Sequence, residues 1–179
     1  MAAFSFAVLI SGNGSNLQAM IDAIKKENIS GKICCVLSNK ANVYGLERAD
    51  RAKIPTEVIN NKDFETREDF DTEMVKVLSA YKPDLIVLAG FMRILSPKFI
   101  NAFTGKILNI HPSLLPKYPG LNTHERVLES SDKIHGITVH FVDESLDGGP
   151  ICAQSSIQIN TSSVKELEEE IHKLEHELY

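Results

Sequence analysis

The sequence contains little cysteine and no long apolar run, which narrows the class of protein it can be. Its three cysteines include the adjacent pair Cys34 and Cys35, a spacing that fits neither a disulfide framework nor a zinc site. The longest apolar stretch, residues 85–92, is far shorter than a membrane-spanning helix. The first residues lack the positive charge that precedes the apolar part of a secretory signal. We therefore predict a cytoplasmic protein that has no membrane partner and binds no metal.

An excess of positive charge is also absent. The formal net charge is −5, and residues 161–179 alone contribute −4 through two lysines and six glutamates. The remaining 160 residues are close to neutral, at −1. Because proteins that bind duplex nucleic acid present a basic face, we do not expect a nucleic acid as a partner. A local cationic pocket for a single anion is still compatible with this balance.

Short apolar segments alternate with segments of helical periodicity in this chain of 179 residues. A chain of this length favours one domain and buries roughly 70% of its unfolded surface, so it needs no disulfide to fold. Strands are predicted at 4–10, 32–37, 56–59, 84–89 and 106–110, and helices at 15–27, 43–52, 64–80 and from Ser96-Pro97 onward. The alternation is typical of an α/β fold with a doubly wound, mainly parallel sheet.

The pattern changes towards the C-terminus. A proline-rich loop covers 111–121, and strands at 136–142 and 150–159 are predicted to form an antiparallel pair. The last segment is predicted to be an amphipathic helix. Its apolar stripe consists of Val164, Leu167, Ile171, Leu174 and Leu178. Glu175 follows Ile171 by four residues, so it borders the core-facing side of this helix rather than the solvent-facing side.

The first candidate site is the loop 11–16 (SGNGSN), between the first strand and the first helix. Its two glycines allow a tight turn, and the helix N-terminus after it attracts an anion. No Lys-Ser/Thr pair follows, and Leu17 stands where a dinucleotide site needs its third glycine. A single phosphomonoester therefore fits better than a nucleoside triphosphate or a dinucleotide. The alternative is a plain turn in which Ser15 or Asn16 caps the helix.

The second candidate is the pair Asn109 and His111 at the end of the strand at 106–110. Residues two apart in a strand point to the same side, and active sites of open α/β sheets lie at the carboxyl ends of strands. An amide donor beside an imidazole can stabilise an oxyanion while a proton moves. The alternative is a hydrogen-bonded pair without catalytic function.

Two further segments are compatible with a site but also with ordinary structure. Asp147 lies in a glycine turn, where its carboxylate could orient His111 and favour the charged form of the ring. An ordinary turn aspartate is the alternative, and Asp143 and Glu144 are competing carboxylates. Residues 91–95 follow the most apolar strand, where they form either a wall for a flat ligand or part of the core.

Four segments together carry a resemblance to a known family. They are 10–18 (ISGNGSNLQ), 88–95 (LAGFMRIL), 108–116 (LNIHPSLLP) and 146–150 (LDGGP), in that order. The sequence resembles the phosphoribosylglycinamide formyltransferases, folate-dependent enzymes of purine synthesis, from about residue 6 to Tyr179. The Asn-x-His and Asp-Gly-Gly motifs are shared with other enzymes that use 10-formyltetrahydrofolate. The loop 11–16 and the residues around Met92 are more specific to this family.

The resemblance implies the formyltransferase fold, a reaction and a role for each candidate residue. The amine of glycinamide ribonucleotide attacks the formyl carbon of 10-formyltetrahydrofolate, and the formyl group passes to the amine. Asn109 would bind the oxyanion, His111 would act as general acid and base, and Asp147 would orient His111. The substrate phosphate would bind at Gly14, Ser15 and Asn16, and its amine at Glu175, with His140 lining the site. The folate would contact Arg67, Met92, Arg93, Ile94, Leu95, Asp143, Glu144, Ser145 and Leu146.

One departure and three alternatives accompany this interpretation. Family members usually continue beyond the equivalent of Tyr179, so we expect a single formyltransferase domain over 1–179 that lacks its extreme C-terminal segment. A methionyl-tRNA formyltransferase would need a tRNA-binding domain, and a formyltetrahydrofolate hydrolase usually has an N-terminal regulatory domain. A non-catalytic phosphate-binding module would leave Asn109, His111 and Asp147 unexplained. The expected partners are the ribonucleotide and the reduced folate, and a homodimer is left open.

Overall fold

Apart from one short helix at 123–128, the strands and helices follow one another in the order that the sequence predicts. The computed structural model describes residues 4–179. Its elements are β1 (Ser5–Ile10), α1 (Ser15–Lys25), β2 (Lys32–Ser38), α2 (Tyr44–Arg51), β3 (Thr56–Val58), α3 (Arg67–Tyr81), β4 (Leu85–Leu88), α4 (Pro97–Ala102), β5 (Ile107–His111), α5 (Thr123–Leu128), β6 (Ile134–Phe141), β7 (Ile151–Gln158) and α6 (Val164–Leu178). The seven strands have the order β3-β2-β1-β4-β5-β6-β7 in one sheet.

The fold divides into two compact units, the first ending at Leu108 and the second covering residues 109–179. In the first unit, β1 pairs in parallel with β2 and β4, and β2 pairs in parallel with β3. The chain moves outward from β1 to β3 and then returns to the other side of β1 as β4. Because such crossovers are right-handed, α1 and α2 cover one face of the sheet and α3 covers the other. The predicted doubly wound, mainly parallel sheet is confirmed.

The return of the chain places a topological switch point between β1 and β4. In open α/β sheets, ligands bind outside the carboxyl ends of strands at such a point. The loop after β1 is 11–16, and the segment after β4 includes Met92. Residues 7–10 of β1 are completely buried, so the strand provides a rigid base for the loop that follows it.

In the second unit, β6 and β7 form the predicted antiparallel pair, with Ile134 opposite Gln158 and Val139 opposite Ala153. Helix α6 packs against both strands and against α5. Its buried positions Leu167 and Ile171 belong to the predicted apolar stripe. In the described residues 4–179, no helix is both long and apolar enough to cross a membrane, and all three cysteines are free.

Most element boundaries differ from the sequence-based expectation by no more than two residues, but one helix start and one short helix differ by more. Helix α3 begins at Arg67 rather than at 64, because the side chain of Thr66 caps it by accepting a hydrogen bond from the backbone N–H of Asp69 at 3.1 Å. Helix α5 was not expected at all. It has only six residues, and so short a segment carries too few apolar repeats to reveal a period.

Candidate active site

The ring of His111 has an oxygen acceptor at each nitrogen. Its Nε2 lies 2.8 Å from the backbone oxygen of Tyr118, and its Nδ1 lies 3.4 Å from Oδ2 of Asp147. A carbonyl oxygen can only accept, so Nε2 carries a proton and donates it to Tyr118. The Nδ1 contact is longer than a normal N–H···O hydrogen bond. The buried ring is therefore held through Nε2, and the Asp147 carboxylate lies beside Nδ1, where it can accept a hydrogen bond from the ring only when Nδ1 is protonated.

Asp147 is fixed by the backbone rather than free in a turn. Its Oδ2 accepts a hydrogen bond from the N–H of Gly120 at 2.8 Å, and its Oδ1 lies 3.9 Å from Nε2 of His140. Its own φ is 51°, in the left-handed region. Gly149 has no room for a side chain, because a Cβ there would overlap the backbone oxygen of Phe141. The Asp-Gly-Gly sequence thus folds tightly against the end of β6 and directs one carboxylate towards two histidines.

His140 determines which way the amide of Asn109 points. Nδ1 of His140 lies 3.0 Å from the backbone oxygen of Phe141 and must donate to it. Burial lowers the pKa of His140, which favours the neutral ring at neutral pH, and with Nδ1 donating, Nε2 is then an acceptor. Nδ2 of Asn109 lies 3.2 Å from that Nε2 and donates to it. The second N–H of the Asn109 amide remains available for another acceptor.

The loop before α5 is held in place by the hairpin of the second unit. The Thr138 hydroxyl donates to the backbone oxygen of Ser113 at 2.7 Å and accepts from the N–H of Leu115 at 3.0 Å. The side chain of Gln154 donates to the oxygen of Leu115 at 3.0 Å. These bonds position the carbonyl of Tyr118 against His111. Sequence reasoning missed Tyr118, because its backbone rather than its side chain makes the contact.

The segment 11–16 is called the phosphate loop here, after the ligand that the resemblance implies; it leads into α1, which begins at Ser15 without a side-chain cap. The cap residue is Gly14, with φ 71° and ψ 35°, and no side chain makes a capping hydrogen bond. The alternative in which Ser15 or Asn16 caps the helix is therefore wrong, since both residues lie inside α1. A Cβ at Gly14 would lie 2.8 Å from Cα of Gly45, so only glycine fits there. An anion can take the place of the missing cap.

A buried hydroxyl connects the phosphate loop to the segment after β4. The hydroxyl of Ser11 donates to Oδ1 of Asn39 at 2.6 Å and accepts from the N–H of Met92 at 2.8 Å. Asn39 in turn donates through Nδ2 to Oδ1 of Asn61 at 3.0 Å. The residues that follow β1, β2, β3 and β4 are thus joined by side chains at the switch point.

The residues expected to contact a folate lie mostly on the surface of their own units. In the first unit, Met92 and Ile94 are 74% and 72% exposed, whereas Leu95 is only 7% exposed and belongs to the core. Arg67 is exposed at the start of α3, 3.6 Å from Oε1 of Glu68. In the second unit, residues 143–146 are exposed. The exposed Leu121 follows Gly120, at which a Cβ would lie 3.7 Å from Leu146, and is a further apolar candidate that sequence reasoning missed.

Glu175 lies on the buried side of α6, as its distance from Ile171 predicts. It is 7% exposed, one turn after the completely buried Ile171. A carboxylate so nearly buried is unusual on a helix whose other glutamates face solvent. Within residues 4–179, no cluster of three or more metal-ligating side chains is present.

Comparison with known proteins gives one consistent result. The formyl transferase family model matches residues 4–179. The chain is 49% identical over 176 residues to phosphoribosylglycinamide formyltransferase of Escherichia coli K12, covering 98% of this chain and 83% of that protein. It is 48% identical over 174 residues to the human trifunctional purine biosynthetic protein adenosine-3, covering 97% of this chain and 17% of that protein.

Solved structures agree with the sequence relatives. Glycinamide ribonucleotide transformylase 1 of Symbiobacterium toebii superimposes with a TM-score of 0.95 at 40% identity, covering 99% of this chain and 84% of that chain. The phosphoribosylglycinamide formyltransferase of Coxiella burnetii gives a TM-score of 0.93 at 47% identity, with 99% and 84% coverage. On these matches over nearly its whole length, the chain belongs to the formyl transferase family.

Proposed function

We propose that this chain transfers a formyl group from 10-formyltetrahydrofolate to the amine of glycinamide ribonucleotide, a step of purine biosynthesis. The observation that carries the proposal is the cluster in which Asp147 faces both His111 and His140, while His140 orients Asn109. Relatives at about half identity over nearly the full chain bear the name of this enzyme. The cluster supplies the groups that a formyl transfer needs.

Asn109 is assigned to the oxyanion. When the substrate amine attacks the formyl carbon, a bond forms from nitrogen to carbon and negative charge develops on the formyl oxygen. A fixed N–H aimed at that oxygen stabilises the charge without reorganising during the reaction. One N–H of Asn109 is bonded to His140, and this bond fixes the direction of the other. His140 is thus a positioning residue for the amide.

His111 is assigned to the proton transfer. The attacking amine must lose a proton, and N10 of the folate must gain one before its bond to the formyl carbon breaks. An imidazole can accept the first proton and donate the second at neutral pH. Nε2 is committed to the carbonyl of Tyr118, so Nδ1 is the nitrogen that exchanges the proton. Asp147 lies 3.4 Å from this nitrogen, so it compensates the charge of the ring and accepts its hydrogen bond while Nδ1 is protonated.

The remaining residues are assigned to substrate binding. Gly14, Ser15 and Asn16 would bind the phosphate of the ribonucleotide at the uncapped start of α1. Glu175 would bind the substrate amine. The reduced folate would contact the exposed apolar surface of Met92 and Ile94. Its other contacts are assigned to Arg67, Arg93, Asp143, Glu144, Ser145 and Leu146, with Leu95 supporting them from the core.

The decisive experiment follows the loss of the formyl group from 10-formyltetrahydrofolate with and without glycinamide ribonucleotide. We expect loss only when the ribonucleotide is present, with equimolar formation of the formylated ribonucleotide. Loss without the ribonucleotide would identify a hydrolase instead. Binding of the ribonucleotide without any loss of formyl, in an assay where a relative is active, would leave the non-catalytic phosphate-binding module as the better description.

A further inference from the structure

Arg48 of α2 uses three of its side-chain nitrogens to hold the phosphate loop and the helix after it. Its Nε donates to the backbone oxygen of Asn13 at 2.9 Å, and Nη2 donates to Oδ1 of the same residue at 3.0 Å. Its Nη1 donates to Oε1 of Gln18 at 3.1 Å. The planar guanidinium therefore binds Asn13 through two hydrogen bonds and Gln18 through a third, which fixes the position of the loop relative to α1.

The rest of α2 supports the same arrangement. The N–H of Gly45 donates to the oxygen of Gly12 at 3.1 Å. A Cβ at Gly45 would overlap Cδ1 of the buried Ile10 and lie 3.1 Å from the oxygen of Gly12, so a side chain there would displace one of them. The guanidinium of Arg48 also lies over the ring of Tyr44, with its carbon 4.5 Å from the ring centroid. The start of α2 is thus packed directly against the phosphate loop. The ring of Tyr44 also contacts a face of the Arg48 guanidinium and helps to hold it in place.

These contacts have an electrostatic consequence for an anion at the start of α1. Both oxygens of Asn13, in the middle of the loop, carry partial negative charge that opposes a nearby phosphate. Because both accept hydrogen bonds from a cation, their charge is offset and their direction is fixed. The backbone N–H groups that follow can then face the ligand, as in other loops that bind phosphate through their main chain.

We propose that Arg48 is a positioning residue for the substrate phosphate. Its two hydrogen bonds to Asn13 hold the phosphate loop in the conformation that binds phosphate. The inference rests on the proposed function, in which Gly14, Ser15 and Asn16 bind the phosphate of the ribonucleotide. The positioning effect depends on the geometry of the two hydrogen bonds to Asn13, so a positive charge at position 48 is not sufficient to produce it. A lysine at this position keeps the charge but cannot form the two-point contact.

The test compares R48M and R48K with the control R51M. Arg51 lies on the same helix, and its side-chain hydrogen bonds within residues 4–179 go to Tyr44 and Glu47 of that helix. We expect R48M and R48K each to raise KM for glycinamide ribonucleotide about tenfold, the effect of losing a charge-assisted hydrogen bond. The kcat and the KM for the folate should stay within about twofold of the wild type, and R51M should match the wild type throughout.

A double-mutant cycle shows whether Arg48 acts through Asn13. N13A removes the acceptor of Nη2 without changing α2, and we expect it to raise KM for the ribonucleotide by a smaller factor than R48M. R48M/N13A should then be no worse than R48M alone, because the two residues act as a unit. Multiplying effects would overturn the inference, and so would a wild-type KM in R48K, which would show that charge alone suffices.

Binding of inorganic phosphate, measured by titration calorimetry, gives a readout that does not depend on turnover. Melting temperatures first establish that each variant is folded. We expect wild type and R51M to bind phosphate alike and both Arg48 variants to bind it more weakly. This holds even if the chain proves inactive as a transferase, which separates failure of the proposed function from failure of the inference. Equal phosphate affinity in R48M and the wild type would overturn the inference about Arg48. So would the absence of phosphate binding by the wild type.

Discussion

Nδ2 of Asn109 lies 3.2 Å from Nε2 of His140, whose other nitrogen donates to the backbone of Phe141. The backbone carbonyl thereby selects one tautomer of His140, and that tautomer selects one orientation of the Asn109 amide. Through these contacts the buried His140 supports the amide that we assign to the oxyanion. The half-buried Asn109 of β5 and the buried His140 of β6 are thus linked at the proposed oxyanion site.

Replacing His140 should therefore impair the reaction without removing a group that touches the substrate. We expect H140A to lower kcat about tenfold, because the Asn109 amide loses its acceptor and can rotate. H140Q keeps an amide oxygen near the position of Nε2 and should recover most of the loss. Steady-state kinetics with both variants check this. Equal kcat values for H140A and the wild type would show that the contact does not orient Asn109.

The two glycines of the phosphate loop should differ in their tolerance of alanine. Gly14 has a φ of 71°, and a Cβ there would meet Cα of Gly45, whereas a Cβ at Gly12 would have no atom within 4 Å. We expect G14A to lower the unfolding free energy by about 1–3 kcal/mol through backbone strain and steric overlap. G12A is the matched control and should be within about 0.5 kcal/mol of the wild type. Urea denaturation measures the unfolding free energy of both variants. Equal destabilisation by G14A and G12A would contradict the conclusion that only Gly14 is sterically constrained.

Stability should fall as the solution becomes mildly acidic, and His135 should be a main cause. Burial, together with His124 and His111, lowers the pKa of His135 to about 4. The unfolded chain binds a proton at this residue below about pH 6.5, whereas the folded chain remains neutral there until about pH 4. Unfolding therefore takes up a proton between these two pH values, and stability decreases as the pH falls through this window.

Denaturation at pH 7 and pH 5 tests this dependence. We expect His135 to account for about 2 kcal/mol of the wild-type loss between these pH values. H135Q cannot be protonated, and its loss should be smaller by about that amount. H172Q removes an exposed histidine of α6 and should lose as much as the wild type. A wild-type stability that does not change between pH 7 and pH 5 would contradict the assignment.

Much of the fold follows from the local sequence, because the signals are strong and short-range. The buried runs of β1 and β4 and the stripe of α6 match the structure to within two residues. The position of Glu175 also follows, since a residue four after Ile171 returns to the same face. Helix α5 does not follow, because one short turn after a proline-rich loop has no detectable period.

The candidate site could be predicted only where its chemistry is carried by side chains at fixed spacing. Asn109 and His111 alternate along one strand, and both lie in the cluster with Asp147. Arg48 lay outside any recognised pattern, because its contact with Asn13 joins residues 35 positions apart. The carbonyl of Tyr118 carries no sequence signal at all. Leu95 is apolar like its neighbours, and only the three-dimensional packing shows that it lies in the core.

Whether His111 moves the proton is tested most directly by comparing H111A with the wild type in a single-turnover transfer assay, together with the affinity for the folate. We predict that H111A loses at least about a hundredfold in the rate of transfer, the usual contribution of a general acid and base. Its dissociation constant for the folate should stay within about threefold of the wild type, which shows that the site is intact. Transfer by H111A at the wild-type rate would contradict the account, because the proton would then move without the imidazole.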